Sequence, residues 1–209
     1  MTTNDPAPNV PTPAAPTGEA AAARARPEPR KRKGLVIVNT GHGKGKTTAA
    51  IGLGVRAAGD RMRVRMIQFI KGTWKTGEQR SLPLLAPYFE LERIGVGFTL
   101  DGLRDERIPM DEHQARARAA WARACETVRA GEHDVVILDE IMATMTAGFV
   151  SVDELLALIA DKPPMMHLVL TGRNAPPELV AVADLVSEIQ PIKHPYKDQG
   201  IKAQKGIEF

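Results

Sequence analysis

Apolar residues fall in short runs rich in β-branched side chains, separated by stretches in which they recur every three or four positions. The runs read as buried strands and the spaced stretches as helices. The first run, Gly34-Leu35-Val36-Ile37-Val38, breaks at Asn39-Thr40 into a glycine- and lysine-rich turn; residues 46–58 then read as a helix closed by Gly59. Residues 63–69 and 89–94 are the next predicted strands, joined by the polar connection Lys71-Gly72-Thr73-Trp74-Lys75-Thr76-Gly77-Glu78. A connection of that length inside a compact domain usually carries function. Asp111 is placed to cap a long helix to about residue 130, which Gly131 ends, and Asp134-Val135-Val136-Ile137-Leu138-Asp139-Glu140 follows. Ser151-x-x-Glu154 is a capping box opening a helix over 152–160, and residues 167–171 and 185–189 complete five or six strands. Strands alternating with helices predict an α/β domain with a mainly parallel sheet covered on both faces, and no internal repeat interrupts the pattern.

Composition narrows the class without changing the fold. With 209 residues and 43% hydrophobic content the chain supports one domain with a sizeable core. No apolar stretch reaches the roughly 20 residues that span a bilayer, and the N-terminus lacks the order of a signal peptide, so a cytoplasmic protein with no membrane partner is expected. The single cysteine, Cys125, excludes an intramolecular disulfide framework and reads as a helix packing residue. The net charge of +3 is concentrated in residues 1–33, which hold six Lys/Arg and three Asp/Glu; the remainder is balanced. The basic pI therefore argues for no nucleic-acid partner. Arg24, Arg26, Arg30, Lys31, Arg32 and Lys33 lie in a Pro- and Ala-rich segment, expected to be a largely disordered tail preceding a domain over 34–209. The tail reads as solubilising, or as a basic arm folding over a bound anion.

The chemistry concentrates in Thr40-Gly41-His42-Gly43-Lys44-Gly45-Lys46-Thr47-Thr48, between predicted strand and helix. Glycines let successive backbone N–H groups converge on phosphate oxygens, the helix adds its positive end, Lys46 adds a full charge, and Thr47 offers a hydroxyl to Mg²⁺. The loop departs from G-x-x-x-x-G-K-[ST], because Thr40 stands where the first glycine belongs, and a tighter cradle is expected. Asp139 and Glu140 end a buried strand, which in a parallel sheet delivers them beside the phosphate loop as the Mg²⁺ partners of Thr47. Arg173, in Thr171-Gly172-Arg173-Asn174, either reaches the same phosphates or is a surface arginine.

Together with Gln68-Phe69-Ile70-Lys71-Gly72-Thr73-Trp74, Gly97-Phe98-Thr99, Leu138-Asp139-Glu140, Thr171-Gly172-Arg173 and the stretch from Val186 through Lys193-His194-Pro195 to Gly206-Ile207-Glu208-Phe209, the loop resembles the P-loop ATP:corrinoid adenosyltransferases over residues 34–209. The resemblance implies a P-loop NTPase-like, RecA-like three-layer fold and normalises the shortened loop. It implies an enzyme that transfers the 5′-deoxyadenosyl group of ATP to the Co(I) centre of a corrinoid, either cob(I)yrinic acid a,c-diamide or cobalamin, and releases triphosphate in adenosylcobalamin biosynthesis. It further implies Mg²⁺, a reduced flavoprotein as electron donor and a homodimer. Lys46 stabilises the leaving group in that scheme, and Phe98 matches a wedge residue that displaces the lower axial ligand of Co(II). Leu100 stands where the family usually has tryptophan, so activity with altered corrinoid preference or slower reduction is expected. His42 replaces a common Asn and either donates to a phosphate or faces solvent. Met110, Met142 and Met145 suit an adaptable surface for a macrocycle, or core filling. The rival reading is a P-loop ATPase or phosphotransferase with Glu140 as general base; a third is a nucleotide-gated binding module.

Overall fold

The computed structural model describes residues 32–70, 75–94 and 109–208. Six strands form one sheet, with β1 at Val36–Thr40, β2 at Val64–Gln68, β3 at Phe89–Arg93, β4 at Val135–Asp139, β5 at His167–Thr171 and β6 at Leu185–Glu188. Their order is β3-β2-β4-β5-β1-β6, and every pairing is parallel. The sheet is thus α/β as expected, and the apolar runs are continuous because β1, β2, β4 and β5 are buried on both faces.

Alternate side chains of each strand enter different cores. Ile37, Val64, Met66, Phe89, Val135, Ile137 and Val169 pack with Ala50 and Ala57 of α1 (Lys46–Gly59) on one face. Val36, Val38, Ile67, Val136, Leu138, Leu168 and Leu170 point the other way, against α3 (Met110–Ala130), α4 (Ile141–Thr146), α5 (Val152–Asp161) and α6 (Pro177–Val182). Gly54 of α1 sits so close to the sheet that a Cβ there would lie 2.5 Å from the Phe89 ring.

Element ends follow local chemistry. The capping box of α5 forms, with Ser151 Oγ accepting from Glu154 N and Glu154 Oε2 accepting from Ser151 N. Gly131 closes α3 at φ +68°. Two expectations need correction: Pro109, not Asp111, occupies the N-cap of α3, leaving Asp111 in the first turn where its charge meets the helix dipole, and Gly59 completes α1 while Asp60 caps it. The polar connection gains a short helix, α2 (Glu78–Ser81), and a 3-10 turn (Leu82–Leu85) that buries Leu82; residues 71–74 lie outside the described residues. A last short helix, α7 (Pro195–Gln199), follows β6. No helix among the described residues is long and apolar enough to cross a membrane. Cys125 is half-buried against the α3 side of the core, and burial raises its thiol pKa.

The amino-terminal edge of the sheet is tied by side chains. His167 Nδ1 accepts from Leu35 N, Asp184 Oδ2 from Val36 N, and Asp134 Oδ2 from Arg63 N. Lys162 Nζ donates to the carbonyls of Gly34, Pro163 and Met166. Burial lowers the pKa of both Lys162 and His167, and the neutral imidazole is the form that accepts the Leu35 bond.

Candidate functional site

At the carboxyl edge, four buried strands each end in a polar residue: Thr40, Gln68, Asp139 and Thr171. Apolar runs that terminate this way, in parallel register, bring the polar ends to one place. Thr40 still belongs to β1, opposite Glu188, and its Oγ1 accepts from Ala175 N at 3.1 Å. The turn therefore begins at Gly41 (φ +96°) and ends at Gly45 (φ +115°), conformations that a Cβ resists.

This loop rests on the end of β6. Gly43 N donates to Ile189 O at 2.7 Å, and Ile189 N donates to Thr40 O at 2.9 Å. A Cβ on Gly41 or Gly43 would fall 2.5 or 2.7 Å from that carbonyl. The Gly43 amide, counted in the sequence among the phosphate donors, is thus committed to Ile189. His42 and Lys44 are exposed, and the Lys44 ammonium pairs with Glu208.

Lys46 is buried, and its Nζ donates to the carbonyls of Gly41 and Gly43, each at 2.8 Å. Desolvation lowers its pKa; the Glu140 and Asp139 carboxylates oppose that, while Arg173 and Lys44 add to it. Arg173 is exposed on the turn after β5, near enough for its charge to act on Lys46.

Asp139, 1% exposed, is oriented by three donors. The hydroxyls of Thr47 and Thr171 both reach its Oδ1 at 2.8 Å, and Gln68 Nε2 reaches Oδ2 at 3.1 Å. Thr171 Oγ1 in turn accepts from Glu140 N at 2.8 Å. Glu140 has φ +61°, a left-handed conformation uncommon for a residue with a side chain, so the chain turns sharply from β4 into α4 at the acidic pair. Thr47 and Asp139 are therefore together, with Glu140 beside them. Thr171 and Gln68 were missed as site residues; the signal was the polar residue closing each apolar run.

Among the described residues no group of three or more His, Cys, Asp or Glu side chains gathers to hold a metal. The oxygens of Thr47, Asp139 and Glu140 are hard donors of the kind that could hold a divalent cation.

The matched family model, described as ATP:corrinoid adenosyltransferase BtuR/CobO/CobP, covers residues 32–209. The chain belongs to this family. Relatives of this adenosyltransferase include the corrinoid adenosyltransferases of Pseudomonas aeruginosa, 38% identical over 77% of this chain and 76% of that protein, and of Sinorhizobium sp, 40% identical over 76% and 72%. That of Escherichia coli (strain K12) is 36% identical over 77% and 78%. Like other family members, the protein is an enzyme that transfers an adenosyl group. Phe98 and Leu100, the expected wedge positions, lie outside the described residues. Of the methionines, Met142 is core, Met145 packs partly against it, and Met110 is exposed at the start of α3.

Proposed function

We propose that residues 34–209 transfer the 5′-deoxyadenosyl group of ATP to the Co(I) centre of a corrinoid, with residues 1–33 as a basic appendage. The observation that carries this reading is the buried Lys46 ammonium inside a glycine loop, beside the Thr47–Asp139 pair, in a member of this family. In the reaction the electron pair of Co(I) forms a bond to the ribose C5′, the C5′–O bond breaks, and triphosphate leaves with its electrons. Phosphorus is not the reacting atom. Lys46, the helix N-terminus and the uncommitted loop amides are fixed donors for the charge that builds on the leaving oxygen, and Lys44, His42 and Arg173 extend that field. Because Lys46 is held by two carbonyls and largely desolvated, it needs little reorganisation as the charge develops. The hard oxygens of Thr47, Asp139 and Glu140 fit Mg²⁺, which when bound would neutralise triphosphate charge.

Phe98 and Leu100 are assigned the role of excluding the lower axial ligand of Co(II), making it easier to reduce by a flavoprotein. Cob(I)yrinic acid a,c-diamide and cobalamin are the candidate corrinoids, and a cytoplasmic homodimer is the proposed setting. Anaerobic incubation with Co(I) corrinoid and Mg-ATP tests the reading: a light-sensitive cobalt–carbon spectrum and triphosphate are expected. Orthophosphate and ADP without that spectrum would instead support hydrolysis with Glu140 as general base. A five-coordinate, unreduced Co(II) spectrum with Mg-ATP present would remove the role given to Phe98 and Leu100.

A further inference from the structure

Beyond β6 the chain leaves the phosphate loop and returns to it. It leaves at Ile189, whose main chain bonds to Thr40 and Gly43. It returns at Glu208, whose carboxylate pairs with Lys44. Gly43 and Lys44 are consecutive, so residues 190–207 form a strap fastened at both ends to neighbouring positions of one loop.

The two fastenings differ in kind. At Ile189 the contact is backbone to backbone, so close that a Cβ on Gly43 would collide with it. At Glu208 it is one ion pair, in which the Lys44 side chain is half-exposed. The strap between them rests little on the sheet. Ile192 is 89% exposed, Tyr196 62% and Ile207 81%. Apart from Gln190 Nε2, which donates to Glu188 at the near end, its hydrogen bonds among the described residues are local: His194 Nδ1 accepts from Tyr196 N and Lys197 N, Asp198 Oδ2 accepts from His194 N, and Ile207 N and Glu208 N donate to Gln204 O. The Lys44 contact is therefore what fixes the far end.

Lys44 is also the loop's exposed cation, two residues before Lys46, where a polyphosphate would be held. A carboxylate and a polyphosphate compete for the same ammonium, and the more highly charged anion wins while repelling the carboxylate. We infer that Glu208 is a resident anion displaced from Lys44 by a bound polyphosphate, so that nucleotide binding unlatches the strap over 190–207 and relatching helps expel the polyphosphate product. This rests on the phosphate-loop reading above.

The test uses the full chain, wild type and Glu208→Gln, with inorganic tripolyphosphate in magnesium buffer. Tryptic cleavage after Lys202 and Lys205 is followed by mass spectrometry, and affinity by calorimetry. Tripolyphosphate is expected to speed strap cleavage of the wild type, whereas E208Q is cut at the faster rate with or without it. E208Q is also expected to bind tripolyphosphate about two- to fivefold more tightly, the scale on which one exposed ion pair can compete. Tripolyphosphate binding with identical strap cleavage and affinity in the two proteins, weaker binding by E208Q, or protection of the strap by tripolyphosphate would overturn the latch alone. Failure of both proteins to bind either tripolyphosphate or Mg-ATP would overturn the phosphate-loop reading and the latch with it.

Discussion

Thr47 and Asp139 stand 92 positions apart and share a hydrogen bond of 2.8 Å, the Thr47 hydroxyl donating to Oδ1. Because Thr171 donates to the same oxygen and Gln68 to the other, the carboxylate is held from three sides. The acid is thus oriented by residues from α1, β2 and β5. Asp139→Asn places an amide N–H₂ among groups that need an acceptor. It is expected to cost about 1–3 kcal/mol of stability and to lower adenosyl transfer about a hundredfold. Thermal unfolding and a cobalt–carbon spectral assay check the two effects, and an Asp139→Asn enzyme with wild-type turnover would remove the acid from the site.

Burial lowers the pKa of Lys46, so the unfolded chain keeps this proton to a higher pH than the folded protein. Between the two pKa values the unfolded state binds more protons, and stability attributable to this group rises with pH. Charged Lys46 is a cost at neutral pH that is relieved towards the ordinary lysine value of about 10.4. Denaturant titrations of wild type and Lys46→Met across the alkaline range should show the wild type gaining on the variant. A constant difference would mean that the ammonium is not desolvated.

A Cβ on Gly43 would meet Ile189 O at 2.7 Å and Ile189 Cγ2 at 2.8 Å, one of them backbone. Gly43→Ala must therefore push the loop off β6, breaking the Gly43 N bond to Ile189 O. The expected loss is about 1–3 kcal/mol, with weaker ATP binding in calorimetry. Normal ATP affinity in this variant would show that the loop tolerates the displacement.

His113 is 1% exposed near the start of α3, and among the described residues neither ring nitrogen has a hydrogen-bond partner. A buried polar group without a partner costs stability, so His113→Leu should leave the unfolding free energy unchanged or raise it by up to about 1–3 kcal/mol. A clear fall in calorimetric stability would reveal a bond made by the imidazole in solution.

The glycines, Lys46 and the paired acids were legible because each stands at a break in an apolar run, where a strand must end. The capping box at Ser151 and Glu154 was legible for a similar reason: both partners lie within four residues. What escaped was long-range. Nothing near Ile189 in the sequence announces that its carbonyl takes the Gly43 amide, since backbone acceptors carry no residue signature. Gln68 and Thr171 stand in stretches that carry the family resemblance, but only the order β2-β4-β5 shows that they flank Asp139. Asp111 shows the limit of capping rules, because Pro109, with its fixed φ, starts α3 two residues earlier.

The side-chain ties of His167, Asp184, Asp134 and Lys162 all sit where the strands begin, a full strand length from Lys46 and Asp139. These ties and the proposed reaction centre therefore occupy opposite rims of the sheet. Engineering the rim of His167 and Lys162 should tune heat resistance while the enzyme's chemistry goes on undisturbed, and fluorescent labels or surface tethers belong on that side.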